Sequence, residues 1–271
     1  MPNPNEISVT ELNGLIGTPT CPAIVDISID ADFHDDPHLI PTALRHSHTD
    51  VAGLLRALSG KHAVIVCQKG MKLSQGMAAW LRSEGINAAY LEGGNYGWRE
   101  VDETTRIPAA NIPAKIEGQT RWVTGHRPKT DRVASLWLIR RFVDPSAKFL
   151  FVSPSEVPAV AERYGVTSLD ETAATPTGQP AVSSFDTMLD TFELRTGALD
   201  RMATVIRAAH TNACDLAPEA AGLVALSVGL SRQYHDDMSL LEAGLTLCDA
   251  LYRWARDGDG DDGRNRLAGP L

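Results

Sequence analysis

The chain has 271 residues, 43% of them hydrophobic and 22% charged, the composition of a globular protein long enough to hold two cores. Lys and Arg number 25 against 34 Asp and Glu, a formal net charge of −9 that argues against a general binder of phosphate backbones, so nucleic acid is not an expected partner. No run approaches the roughly 20 apolar residues needed to cross a bilayer, Met1 to Glu6 lack the basic and apolar regions of a signal peptide, and Cys21, Cys67, Cys214 and Cys248 form no CxxC pair, which together predict a cytoplasmic protein with free thiols and no membrane contact.

Residues 6–117 alternate helical and strand patterns. Ser8 and Glu11 form a capping box ahead of Leu12, Leu15 and Ile16. Ala23 to Ser28 reads as a buried strand, Asp50 to Leu58 as a helix and Ala63 to Val66 as a second buried strand. A helix follows from about Leu73 to Arg82, closed by Gly85, and Ala88 to Leu91 is a further strand. The alternation predicts an α/β fold, a parallel sheet with helices on both faces, whose reactive groups lie beyond the carboxyl ends of the strands. His34, His38, His46 and His48 fall in one stretch, but Asp35, Asp36, Pro37 and Pro41 make it read as a solvated loop, and no metal is assigned.

The run His62-Ala63-Val64-Ile65-Val66-Cys67-Gln68-Lys69-Gly70-Met71-Lys72-Leu73-Ser74 sets a cysteine between a strand end and a short loop that leads into a helix. A loop curling around Cys67 aims backbone N–H groups at the sulfur, and the positive end of the helix points to the same place, a setting that suits a sulfur nucleophile. Lys69 and Lys72 add charge nearby. With Tyr90-Leu91-Glu92-Gly93-Gly94-Asn95-Tyr96-Gly97-Trp98 downstream, this segment resembles a rhodanese domain, the sulfurtransferase module that carries a persulfide on one cysteine. The loop from Cys67 to Lys72 has the rhodanese length, whereas related phosphatases and arsenate reductases use a loop one residue longer; a tyrosine phosphatase would need arginine at position 73, where Leu73 stands. The family's arginine after the strand aspartate is replaced in Asp26-Ile27-Ser28, and its Gly-His-Ile-Pro-Gly-Ala motif is reduced to Leu39-Ile40-Pro41-Thr42-Ala43. The resemblance implies that Cys67 takes the outer sulfur of thiosulfate or another sulfane donor and passes it to a thiol, cyanide or protein acceptor. The persulfide would rest among the N–H groups of Gln68, Lys69, Gly70, Met71, Lys72 and Leu73, with Lys72 beside the incoming anion and no cofactor beyond the transient persulfide.

Residues 103–121 have the composition of a linker, broken by Pro108 and Pro113, and place a domain boundary near residue 118. Beyond it, Thr130 to Phe142 is apolar nearly all round and predicts a deeply buried helix. Lys148 to Val152 reads as a strand, and Ser153, Pro154 and Glu156 signal a helix start that Pro158 can delay. Residues 170–184 read as a loop, and helices are expected over Ala198 to Ala209, Pro218 to Tyr234 and Asp236 to Arg256. The polar tract 257–271 reads as a disordered tail.

The segment Arg121-Trp122-Val123-Thr124-Gly125-His126-Arg127-Pro128-Lys129-Thr130-Asp131-Arg132, running on through Trp137 to Pro145, resembles the carboxy-terminal domain of the chromate-resistance protein ChrB. The likeness continues through Lys148 to Val152, Ser184-Phe185 and Pro218 to Leu223, and covers residues 120–256. Five cations, Arg127, Lys129, Arg132, Arg140 and Arg141, gather around the buried helix: one reading is an oxyanion site for chromate or sulfate, the other internal pairing with Asp131, Asp144, Asp236 or Asp237. His210, His235, Asp236 and Asp237 suggest a metal site with Asp131 or His126, but the His and Cys that the family carries before its Ser-Phe pair are replaced by Pro180-Ala181-Val182-Ser183, and Asp236 equally suits a helix cap. The expected protein is a rhodanese-like α/β domain, 6–117, followed by a mainly α-helical ChrB-type domain, 120–256. Its expected function is sulfur transfer through Cys67 in oxidative or chromate stress, and its rival a non-catalytic redox or oxyanion sensor.

Overall fold

The computed structural model describes residues 5–172 and 183–258. The chain divides into two compact units, Met1–Trp122 with Leu138–Phe149 and Leu189–Leu194, and Val123–Trp137 with Leu150–Met188 and Arg195–Leu271. The units interleave along the sequence: the chain first changes unit after Trp122, and Leu138–Phe149 and Leu189–Leu194 return to the first.

The first unit runs β1 (Glu6–Ile7), α1 (Val9–Leu15), β2 (Ala23–Asp26), α2 (Asp30–Asp35), β3 (His38–Leu39), β4 (Leu44–Arg45), α3 (Val51–Leu58), β5 (His62–Val66), α4 (Lys72–Ser83), β6 (Asn87–Leu91), α5 (Gly94–Glu100) and β7 (Ile107–Pro108). Five strands form a parallel sheet in the order β1-β6-β5-β2-β4. Central β5 is buried on both faces, and so its residues Ala63 to Val66 are uniformly apolar rather than alternating. Ala63, Ile65 and Cys67 share one face with Val25 and Ile27 and pack into a core with Leu54 and Leu58 of α3 and Met77, Ala78 and Leu81 of α4. The Ser8–Glu11 capping box opens α1, and Gly85, at φ +84°, closes α4 with its N–H on the Arg82 carbonyl.

Two readings of this unit change. The histidine-bearing stretch is not all loop, because Asp30–Asp35 forms α2, with His34 Nδ1 2.6 Å from the Asp30 carbonyl. Residues 103–121 are not a bare linker either. Ile107 is 1% exposed and pairs with Leu39, Asn111 donates to the Thr191 carbonyl at 2.7 Å, and buried Trp122 meets Phe192 edge-on with centroids 6.4 Å apart. Pro and Gly erase local periodicity there, but tertiary contacts order the segment.

The second stretch of chain supplies β8 (Arg121–Gly125), α6 (Thr130–Leu138), β9 (Lys148–Val152), α7 (Val157–Tyr164), β10 (Thr167–Ser168), α8 (Leu169–Thr172), α9 (Ser184–Thr191), α10 (Gly197–Thr211), α11 (Glu219–Gln233) and α12 (Asp237–Asp257). Its strands form a sheet in the order β10-β8-β9. The helix predicted to Phe142 ends its α-helical part at Leu138 and continues as a π-helical turn, Ile139–Val143, with the Asp144 N–H on the Ile139 carbonyl at 2.8 Å. Pro158 does delay α7 to Val157, after a 3-10 turn at Pro154–Glu156. Helix α9 begins inside the stretch read as loop, because Asp131, 53 residues away, takes the Ser184 N–H at 2.9 Å as well as the Phe185 N–H at 3.1 Å. Asp257 belongs to α12 and pairs with Arg253 and Arg256, so the tail cannot begin there; residues 259–271 lie outside the described residues, as do 173–182 of the loop.

Candidate active site

Strand β5 delivers Cys67 to its carboxyl end, where the thiol is 5% exposed. The six residues that follow make one tight turn and the opening of α4, which starts at Lys72. Two glycines permit that turn to dock against the next βα junction. A Cβ on Gly70, at φ +65°, would lie 2.5 Å from the Leu91 carbonyl oxygen and 2.6 Å from the Gly94 nitrogen. A Cβ on Gly94, at φ +59°, would lie 2.1 Å from the Cys67 carbonyl oxygen. Only hydrogen fits at either position, and only glycine adopts both conformations without strain.

The docking turns the loop's carbonyls away from its N–H groups. The Asn95 N–H at the start of α5 donates to the Cys67 carbonyl and the Tyr96 N–H to the Gln68 carbonyl, both at 3.0 Å. Gln75 Nε2 donates to the Gly70 carbonyl at 3.1 Å. Among the described residues, the N–H groups of residues 69–73 have no acceptor. Such a loop at a helix start is a cradle for an anionic group.

Ser74 is the site residue that sequence reasoning missed. It is fully buried on the first turn of α4, its Oγ accepts from the Cys67 thiol at 3.2 Å, and it donates to the Met71 carbonyl at 3.3 Å. The available signal was a serine in the helix's first turn, where a hydroxyl has few apolar reasons to be buried. Of the predicted loop residues, Gly70 is buried, Gln68 and Leu73 are half-buried, and Lys69, Met71 and Lys72 are exposed.

Beside the loop, Ser28, Gln68, Asn95, Tyr96, Arg99 and Arg106 line a cavity of about 120 Å³. Asn95 Nδ2 reaches buried Asp26 at 2.8 Å and Ser28 Oγ at 3.3 Å, so the position where the family pattern has arginine carries a serine tied to this network. On the cavity wall Asp36 holds three partners: His38 Nδ1 at 2.7 Å, Arg99 at 2.8 Å and Arg106 at 2.6 Å. Burial pushes the Asp36 carboxyl up, but the His38 hydrogen bond and the Arg106 charge outweigh it and hold the group below its usual value. The Arg99 guanidinium also stacks on Tyr96, 4.5 Å from the ring centroid. Asp32 and Asp35 line the same cavity, so its three carboxylates outnumber its two arginines.

Burial raises the Cys21 thiol to about 11, against smaller lowering effects of Thr42 and Arg141. All four cysteines are free.

For the five cations read either as a second oxyanion site or as internally paired, the structure shows individual partners for the arginines. Arg127, at φ +54°, spends its guanidinium on the Tyr234 carbonyl at 2.7 Å and Ser231 Oγ at 2.9 Å, while its N–H meets Asp237. Arg132 pairs with Asp170 at 2.7 Å, and Lys129 is exposed. Arg140 and Arg141 belong to the other unit, where Arg140 donates to the Ala147 carbonyl at 3.0 Å and lies over Phe149. The suggested metal cluster is dispersed. Asp131 caps α9, Asp236 caps α12 through the Ser239 N–H at 2.8 Å, and no group of three ligating side chains forms among the described residues.

A model of the rhodanese-like domain matches residues 8–101, and a model of the ChrB C-terminal domain matches residues 122–255. Protein ChrB of Cupriavidus metallidurans is 32% identical over 149 residues, which are 53% of this chain and 44% of that protein. The chain thus spans less than half the length of this curated relative. Among solved structures, a Staphylococcus saprophyticus protein is 26% identical with a TM-score of 0.32, covering 35% of this chain and 92% of that one. A rhodanese-like domain protein from Staphylococcus aureus is 24% identical with a TM-score of 0.33, covering 37% and 96% respectively. The chain joins a rhodanese-like domain to a ChrB C-terminal domain.

Proposed function

We propose that the first domain is a sulfurtransferase of rhodanese type, with Cys67 as its catalytic residue. The observation that carries this reading is the loop behind Cys67, whose N–H groups at residues 69–73 have no acceptor among the described residues while α5 holds the Cys67 and Gln68 carbonyls and Gln75 of α4 holds that of Gly70. The Cys67 thiolate attacks the outer sulfur of thiosulfate; a new S–S bond forms to Cys67, the old one breaks, and sulfite leaves with the bonding pair. The terminal persulfide sulfur, now negative, is held by the free N–H groups, and the Ser74 hydroxyl, which accepts from the Cys67 thiol and donates to the Met71 carbonyl, can turn its proton to the sulfur once the thiol proton is lost. Cyanide or a thiol then takes the terminal sulfur and returns Cys67 to its thiolate. Lys69 and Lys72, exposed at the loop, draw the anionic donor in. No cofactor takes part.

The ChrB C-terminal domain ties this activity to resistance against chromate or oxidative stress, chromate or sulfate being the corresponding oxyanions. Four free thiols suit a reducing, cytoplasmic setting, and no helix among the described residues is long and apolar enough to cross a membrane. A thiosulfate-to-cyanide assay on the wild type and Cys67→Ser tests the proposal. Thiocyanate is expected only from the wild type, together with a Cys67 peptide heavier by one sulfur atom. Wild-type turnover no faster than that of Cys67→Ser would overturn it, and tight oxyanion binding without turnover would point to a sensor.

A further inference from the structure

Helix α11 carries almost no charge between Glu219 and Arg232, yet only Ala220 and Leu223 of it are buried. Where it faces α6 and α12, a cavity of about 260 Å³ opens within the second unit. Its walls are Val133 of α6, Leu223 of α11, and Leu240 with Leu247 of α12. Close approach of α6 and α12 sets its floor, since a Cβ on Gly244 would lie 2.5 Å from Val133 Cγ1. Its mouth is the turn Arg127 to Thr130. Arg127 cannot serve a ligand there, because its guanidinium already ties the turn to the end of α11 through the Tyr234 carbonyl and Ser231 Oγ. Lys129, one step inside the mouth, is exposed and has no ion pair or side-chain hydrogen bond among the described residues.

A site with apolar walls and one uncommitted cation at the entrance selects for a molecule of the same polarity. Chromate or sulfate would leave the walls bare, and a neutral hydrocarbon would leave Lys129 unused. We infer that this cavity binds a small amphipathic anion, a carboxylate with a hydrocarbon body of roughly a dozen non-hydrogen atoms in all, its head at Lys129 and its body along Val133, Leu223 and Leu240. The reading is independent of the chemistry at Cys67.

Calorimetric titration of the full chain with octanoate, with octan-1-ol and sulfate as comparison probes, tests it. Octanoate should bind once per chain, more tightly than either. Lys129→Ala should weaken octanoate about fivefold while leaving octan-1-ol unchanged, the effect of a single exposed cation. Ser227→Phe, which fills the cavity from α11, should abolish binding without changing the melting temperature; if that variant does not fold, Leu247→Phe fills it from α12. Absence of saturable octanoate binding, sulfate binding as tightly as octanoate, equal binding of octan-1-ol, or an unaffected filled variant would each overturn the inference.

Discussion

The contact between Gly94 and the Cys67 carbonyl is the most direct handle on the site. In Gly94→Ala the new Cβ would stand 2.1 Å from the Cys67 carbonyl oxygen and 2.4 Å from the Gly70 nitrogen, both backbone atoms that no rotamer change can move. Holding an L side chain at φ +59° costs about 1–2 kcal/mol. Separating the two segments also strains the Asn95-to-Cys67 and Tyr96-to-Gln68 hydrogen bonds, each about 0.5–1.5 kcal/mol. The sum is about 2–5 kcal/mol, a fall of roughly 10 °C for the transition of this domain in differential scanning calorimetry. Gly76→Ala is the internal control: nothing lies within 4 Å of its Cβ, it sits inside α4, and helix propensity predicts a gain of about 0.5–1 kcal/mol. Cys67 alkylation, followed by mass spectrometry, should change in Gly94→Ala and not in Gly76→Ala. A Gly94→Ala protein that melts with the wild type and labels at the same rate would refute the account of how the loop is held.

Three other outcomes are expected. Lys72→Ala should raise the KM for thiosulfate about threefold to fivefold with little change in kcat, because an exposed cation attracts the donor equally in ground and transition states, and steady-state kinetics at two salt concentrations checks it. Cys21, with its thiol pushed up to about 11 by burial, should alkylate slowly at neutral pH and gain about tenfold in rate per pH unit through pH 10; a plateau near pH 9 would contradict the shift. For Asp144, burial alone would raise the carboxyl, but hydrogen bonds from Thr120 and Ser146 and the charge of Lys115 bring it below its usual value. Its stabilising contribution is therefore complete above about pH 4 and lost as pH falls through the folded value, so Asp144→Asn should cost about 2–4 kcal/mol at pH 7 and distinctly less at pH 3, measured by calorimetric melting.

What could be read from the sequence was what repeats along it. Strand β5 announces itself because burial on both faces demands an unbroken apolar run, and the carboxyl end of α4 does so through Gly85. Helix α5 did not, because Gly94, Asn95 and Gly97 are poor helix formers; its first N–H groups gain partners only when the Cys67 loop lies against them. Resemblance marked Gly93-Gly94 as a motif, but the reason for it is backbone-to-backbone contact between residues 24 to 27 positions apart, which no local pattern expresses.

The same limit acts in the second domain with the opposite sign. Arg127, Arg132, Arg140 and Arg141 are close in sequence, and proximity along the chain suggested a cluster. Arg132 lies on α6 and Arg140 and Arg141 on the π-helical turn that continues it, and Arg127, Arg132 and Arg140 each find an acceptor close at hand. Asp131 shows the converse: a carboxylate read as a partner for cations or a metal is drawn to α9, because three unpaired donors at Ser183, Ser184 and Phe185 compete better for one buried carboxylate than a solvated arginine does. Lys129 is left over by that competition, and a charge left over beside an apolar cavity is the kind of feature that only the folded chain can display.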